Sequence, residues 1–547
     1  MIEYSNFLKY ILQNILCFKG EGVIFCMGER DEFLEVMSKS VDKWVRARPE
    51  VNVFGSIVGK NPDYVSILYK EKDEAFWTFL NGVEDAVKEK STNSGYSVRA
   101  VIGDEAQGYG QAWSARDGIP RSPALLEKLM DPNLDLAVKS AVSSYLGFIS
   151  GDIVYEKDLF SRLSSEKVDS CSGKKIRELS VCKNIRKSLA DFTREMYEDG
   201  VVREADATIS TNLSRQRFVD SDGRRIREDL RLGKIYLEGK FAHNNGQVIS
   251  HLESMVFVDG VNVNELDRIK NNFCATVGEL KNAVTPTSDY YPVILSGGAA
   301  GTMIHEALGG HLLSGKYIKD GISTVFKGRI GSLVLPEFLS IVDDPRLKGA
   351  SGSYLFDDEG IASERVVLIE NGILRNYLLD RGSAGYFKMR SNGRSRMEWV
   401  TGYDGIVAPE PRVSNLSVSS KNCVSEVELE EIAKKSCVEL GKECVLYIDS
   451  GIGEVNIGTS EFAMVPSRAY KIFPDGRREP AHNFVMVANA YELLGQIAVT
   501  GNKYEVGNGT CGSNSGWVPT QNVSPSMFIP QVNIQAIDGV KFKKELL

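Results

Sequence analysis

The chain has 547 residues, of which 42% are hydrophobic and 25% charged, with a formal net charge of −8. Its length exceeds one ordinary core and points to two or three globular domains. The small acidic balance offers no cationic field for a phosphate backbone, so nucleic acid is not expected as the main partner.

The opening stretch, Met1 to Phe25, is interrupted by Glu3, Lys9, Lys19 and Glu21 and does not read as a signal peptide. No uncharged apolar run reaches the roughly 18 residues of a membrane span, so no membrane segment is expected. Nine cysteines without paired spacing fit reduced thiols, and the expected location is cytoplasmic.

Along the first half, Glu32 to Val45 and Asn81 to Lys90 space apolar residues three and four apart, as amphipathic helices do. Val51 to Tyr69 alternates like strands. The polar stretch Ser164 to Lys187 reads as a solvated helix or connection. From Ala207 to Gly260 apolar alternation is punctuated by Asp222-Gly223 and Asn245-Gly246, the signature of antiparallel hairpins. Val263 to Ala283 returns to helical spacing. A proline-bearing connector near Pro286 then suggests a boundary, giving domains 1–284 and 285–547. Beyond it short strands dominate: Gly331 to Val342, Val366 to Tyr377, Val445 to Asp449, Glu461 to Phe473 and Met527 to Val532. The expected class is α+β: a mixed α/β first domain with a hairpin-rich region, then a strand-rich domain carrying a short metal-binding helix.

That helix lies in LSGGAAGTMIHEALGGHLLSG, residues 295–315. Imidazoles serve zinc, and a glutamate beside the first ligand can take a proton from water, so His305, Glu306 and His311 have a chemical reason to stand together. In an unbroken α-helix, however, six positions set His311 roughly 120° away from His305. Gly309-Gly310 is expected to end or distort the helix and turn His311 back. Ser296 to Gly301 is glycine-rich but lacks the lysine ending of a phosphate loop. Asp357-Asp358-Glu359 has too few oxygen ligands at set spacing for a hard-cation loop and reads as structural. Arg394 suits either a peptide carboxylate or a local acid. His243, His251 and His482 are assigned no role.

Four ordered segments resemble the TldD/PmbA family: the His-Glu segment above, GSYLFDDEGIASERVVLIENGILRNYLLD (352–380), SNGRSR (391–396) and NKYEVGNGTCGSNSGWVPTQNVSPSM (502–527). The family spacing has three residues between Glu and the second His. This chain has four, and treating Gly310 as the insertion keeps His311, Leu313 and Gly315 in register.

The resemblance implies a zinc peptidase with His305, His311 and Cys511 as ligands and Glu306 as general base. It also implies unstructured peptides as substrate and a homodimer or a heterodimer with a related subunit. A thiolate and two imidazoles leave one tetrahedral position open, the stoichiometry of a catalytic site. The alternative is a non-catalytic family subunit that stabilises an active partner. Retention of both Glu306 and Cys511 counts against it.

Overall fold

The structure is a computed structural model describing residues 31–398 and 408–537, apart from 48–49, 54–55, 60, 86–89, 105–107, 117, 119–120, 150–168, 172–178 and 180. The opening stretch Met1 to Phe25, much of the polar stretch from Ser164, and part of the expected 81–90 helix lie outside the described residues.

The first half is built on one long sheet. In spatial order its main strands are Val248–Phe257, Arg225–Ala242, Glu204–Asp220, Tyr64–Leu80, Lys90–Asp104 and Gly108–Arg116, all antiparallel. This half is therefore α+β and not α/β. Strict alternation puts Val65, Ile67, Tyr69, Trp77 and Phe79 on one face. Helices Glu32–Val45 and Pro123–Ile149 cover one end of that face and helices Lys183–Glu198 and Val263–Leu280 the other, each pair with its own apolar core.

Between those cores the same face carries charge. Asp73 accepts from Arg121 at 2.8 Å and Arg215 at 2.7 Å, and these bonds outweigh burial to hold its carboxyl down at about 2.

The helix expected from Asn81 does not form. Asn81 and Gly82 take φ of 49° and 87°, and Leu80 pairs with Val83, so the two residues are a tight hairpin turn. An Asn-Gly pair with positive φ at both positions matches the strand twist, and that local preference defeats the helical spacing beyond it. Asp222-Gly223 and Asn245-Gly246 do turn hairpins, as expected. Of Gly331 to Val342, only Leu339–Asp343 is regular strand; Gly331 sits in a turn at φ 87°.

After helix Val263–Leu280 the chain enters a second sheet of 12 strands. Strand Asp289–Leu295 pairs in parallel with Val445–Asn456 and antiparallel with Gly516–Ala536. Strands Glu461–Ile472 and Phe484–Asn489 complete the circuit, so five strands close a ring around a large apolar core.

The loops of residues 352–398 join the two sheets. Lys70 Nζ lies 2.6 Å from Asp358, Arg99 pairs with Glu359, and Glu228 accepts from the Leu355 and Phe356 amides at 2.7 and 3.1 Å. Leu68, Phe218, Ile226, Phe356 and Met397 fill the apolar gap beside them.

Candidate active site

Strand Asp289–Leu295 runs directly into helix Gly297–Ile304, capped by Ser296, whose Oγ accepts from Ala299 N at 3.1 Å and donates to Asp449 O at 2.6 Å. The glycines here serve close packing. A Cβ at Gly297 would lie 2.5 Å from Ser524 O, and the free Gly298 amide is taken by Glu505 Oε2 at 3.0 Å. A carboxylate at this helix start leaves it no phosphate role.

The helix is distorted in its last turn and ends at Gly309-Gly310, as the glycine pair suggests. It widens into a π-turn over His305–Gly309, with Gly310 N donating to His305 O at 2.6 Å and Leu313 N to Leu308 O at 3.1 Å. Each such bond spans five residues where an α-turn spans four, so the extra residue is absorbed within the turn. Gly310 itself is right-handed, with φ −69° and ψ −41°. Its lack of a side chain is what matters: a Cβ there would stand 2.8 Å from His305 Cδ2 and Nε2. Gly309 likewise leaves room for Leu416, 2.6 Å from where a Cβ would be.

The π-turn places His311 near Cys511. His311 Nε2 is 3.7 Å from Cys511 Sγ and 3.6 Å from Glu306 Oε2. His305, its ring centre 6.4 Å from that of His311, interacts electrostatically with the Cys511 thiol. Asn522 Oδ1, 3.3 Å from His305 Nδ1, favours a proton on Nδ1 and so leaves Nε2 as the nitrogen that could bind a metal.

Electrostatics follow this clustering. Burial would raise the Cys511 thiol, but Arg412, His311 and His305 outweigh it and hold it well below the usual thiol range. Burial would lower His305, yet the Cys511 and Glu306 charges carry it up to about 9. Glu306 is raised, chiefly by burial, against the pull of both histidines.

Among the described residues no three His, Cys, Asp or Glu side chains converge as a formed metal site, so the geometry does not by itself make this a metal-binding helix. The donor set nevertheless suits zinc. With bonds of roughly 2.0 Å to nitrogen and 2.3 Å to sulfur, tetrahedral ligands stand roughly 3.6 Å apart, close to the 3.7 Å between Cys511 and His311. The buried His311 Nδ1 has no partner among the described residues.

Gly298, Thr302 and Glu306 share the partly exposed face of the helix. Strand Val445–Asn456 loses its pairing with Asp289–Leu295 after Ile448, so from Ser450 onward only Glu461–Ile472 pairs with it among the described residues. That free edge passes Glu306.

The other sequence candidates have structural partners. Arg394 Nε binds Asp343 at 2.6 Å with both side chains fully buried, and its remaining nitrogens reach carbonyls of Asn392, Gly393, Asp343 and Glu364. Asp357 accepts from the Glu359, Ile361 and Ser395 amides. His243 bonds Ala283 O at 2.9 Å and lies against His482, and His251 faces Glu253. Sequence reasoning missed Asn522, Glu410, Arg412 and Gly453. Asn522 stands within a segment that carried the resemblance, but nothing local sets it apart from its neighbours.

Residues 288–536 match the model of the PmbA/TldA metallopeptidase C-terminal domain. A "Metalloprotease TldD homolog" from Buchnera aphidicola of Acyrthosiphon pisum is 32% identical over 45% of this chain, and the match spans about half of that relative, 48%. The homolog of the same name from Buchnera of Schizaphis graminum is 26% identical over 87% of this chain and 93% of its own length. A "Zinc metalloprotease TldD homolog" from Saccharolobus solfataricus is 25% identical over 59% of this chain and 67% of its own. Two solved structures share the fold. One is TldE from Thermococcus kodakarensis, with TM-score 0.59 and 15% identity over 92% of this chain and all of that one. The other, described as a putative modulator of DNA gyrase, comes from Bacteroides thetaiotaomicron, with TM-score 0.60 and 14% identity over 93% and 100%.

Proposed function

We propose that this chain, which belongs to the TldD/PmbA family, is a zinc-dependent peptidase acting on unstructured or extended peptides. The observation that carries the reading is the gathering of His305, Glu306 and His311 with Cys511, a residue 200 positions away from His311. His305, His311 and Cys511 would hold the metal. A zinc ion bound there would polarise the scissile carbonyl and make water a better nucleophile near neutral pH.

The residues themselves divide the remaining work. Asn522 fixes the His305 tautomer. Glu306, raised by burial, takes a proton from the attacking water as the new C–O bond forms, then returns it to the leaving amine as the C–N bond breaks. The free edge from Ser450 to Asn456 offers backbone pairing to an extended segment, which a folded protein cannot present. We place the two domains at 1–284 and 285–547. We further read the protein as cytoplasmic and as a homodimer or a pair with a related subunit. The fold is shared with TldE, and no helix among the described residues is long and apolar enough to cross a membrane.

Elemental analysis of the purified protein, with hydrolysis of an unstructured peptide by wild type and Glu306→Ala, tests this reading. The expectation is about one zinc per chain in both and loss of turnover by orders of magnitude in the variant. Absence of metal from the wild type would favour the non-catalytic alternative.

A further inference from the structure

We propose that Glu410 and Arg412 form a bracket that holds the segments carrying His311 and Cys511 in register, making both positioning residues for the donor set. The inference rests on the zinc-peptidase reading for its purpose, but the geometry of the bracket is independent of any metal.

The segment is anchored from behind. Glu410 and Pro411 pair with Ser395 and Arg396, and Arg412 N donates to the carbonyl of Arg394 at 2.9 Å. Arg394 is in turn tied to Asp343. From this fixed base two side chains reach forward.

Glu410 joins the two donor-bearing segments. Its Oε2 accepts from Tyr317 OH at 3.0 Å and from Ser513 Oγ at 2.9 Å, and those two hydroxyls are 2.5 Å apart. Its Oε1 lies 3.4 Å from Lys316 Nζ. Lys316 and Tyr317 belong to the short helix Gly315–Lys319 that follows His311, whereas Ser513 follows Cys511 by two residues. Ser314 Oγ adds a longer bond to Pro411 O at 3.4 Å.

Arg412 holds the turn beside Cys511. Strands Val499–Ser513 and Gly516–Ala536 form a hairpin, and Cys511 sits two residues before its turn. Arg412 Nη1 donates to Ser515 Oγ at 2.7 Å and Gly516 O at 2.8 Å, while Nη2 donates to the Cys511 carbonyl. One planar fork thus spans both sides of the turn and fixes the peptide plane from which the thiol projects. The side chain is 1% exposed, and these hydrogen bonds all go to the turn. Burying a guanidinium is costly, and closing a hairpin does not require it. Holding the Cys511 peptide in place gives the buried fork a purpose.

The test strips metal from wild type, Arg412→Lys, Glu410→Gln and the milder Ser513→Ala, then titrates Co2+ and Zn2+ against a competing chelator. Hydrogen exchange of residues 509–516 is measured on the metal-free forms. Arg412→Lys keeps the charge but not the fork, and it should bind both metals roughly 10- to 100-fold more weakly, with a weakened thiolate-to-Co2+ absorption band. Glu410→Gln should behave alike, and Ser513→Ala should add little in the Glu410→Gln background, because the two act through one contact. Both single variants should exchange faster at 511–516 than wild type. Wild-type affinity, spectrum and exchange in Arg412→Lys and Glu410→Gln would overturn the bracket. A wild type that binds neither metal would overturn the peptidase reading instead. The exchange data would then decide the bracket: faster exchange confined to 511–516 supports it, and unchanged exchange refutes it.

Discussion

Gly453 lies flat against Glu306: a Cβ built at Gly453 would stand 3.0 Å from Glu306 Cγ and 3.2 Å from Thr302 Cγ2. The free strand edge and the proposed proton acceptor are therefore in direct contact, and the glycine sets how close they come.

Replacing it tests that contact. Gly453→Val should leave metal content unchanged while lowering kcat/KM for an unstructured peptide by roughly 10- to 100-fold, because a displacement of the general base by even 1 Å is costly. Full activity in this variant would show that Glu306 is not held by the strand.

Cys511→Ser removes the soft donor while preserving size. Zinc occupancy should fall sharply after dialysis against a mild chelator, since oxygen replaces thiolate in a site whose other protein donors are imidazoles. Occupancy equal to wild type would remove Cys511 from the ligand set.

Lys70 and Asp358 form a buried pair between the two sheets, at 2.6 Å with side chains 8% and 5% exposed. Lys70→Met leaves Asp358 buried with the Met397 amide as its hydrogen-bond partner among the described residues, and it should destabilise the fold by about 3–5 kcal/mol. Lys70→Met/Asp358→Leu should recover part of that loss. Denaturant unfolding of the three variants checks the order, and equal stability of single variant and wild type would contradict it.

Glu228 carries a pH dependence of definite sign. Burial, helped by Asp358, pushes its carboxyl up to about 7 in spite of the Leu355 and Phe356 amides. A carboxyl raised on folding binds its proton more tightly in the folded state. Its contribution is fully present below about 4.5 and is lost as pH rises through about 7. Glu228→Gln, neutral throughout, should flatten the fall in unfolding free energy between pH 5 and 8, by at most roughly 3 kcal/mol. An unchanged slope would mean that another group governs it.

Much of the local structure was legible in the chain itself, because it rests on contacts between near neighbours. Asp222-Gly223 and Asn245-Gly246 prescribe turns through their backbone preferences. Val263 to Leu280 shows its buried face by spacing, and Asn262 with Glu265 closes a capping box at its start. The four ordered segments at 295–315, 352–380, 391–396 and 502–527 together sufficed to suggest the family. Where the sequence misled, a stronger local rule was competing, as when Asn81-Gly82 formed a hairpin in a stretch with helical spacing.

What the tertiary structure alone decided is how those pieces meet. Whether His311 returns toward His305 depends on a π-turn stabilised by close packing on Leu416 and on the His305 ring, and no count of residues between histidines contains that packing. Glu410, Arg412 and Asn522 look like ordinary polar residues in the chain. They gain their roles because strands distant in sequence bring them to buried positions where each polar atom must find a partner. Sequence periodicity records which face of an element is buried. It does not record what that face is buried against.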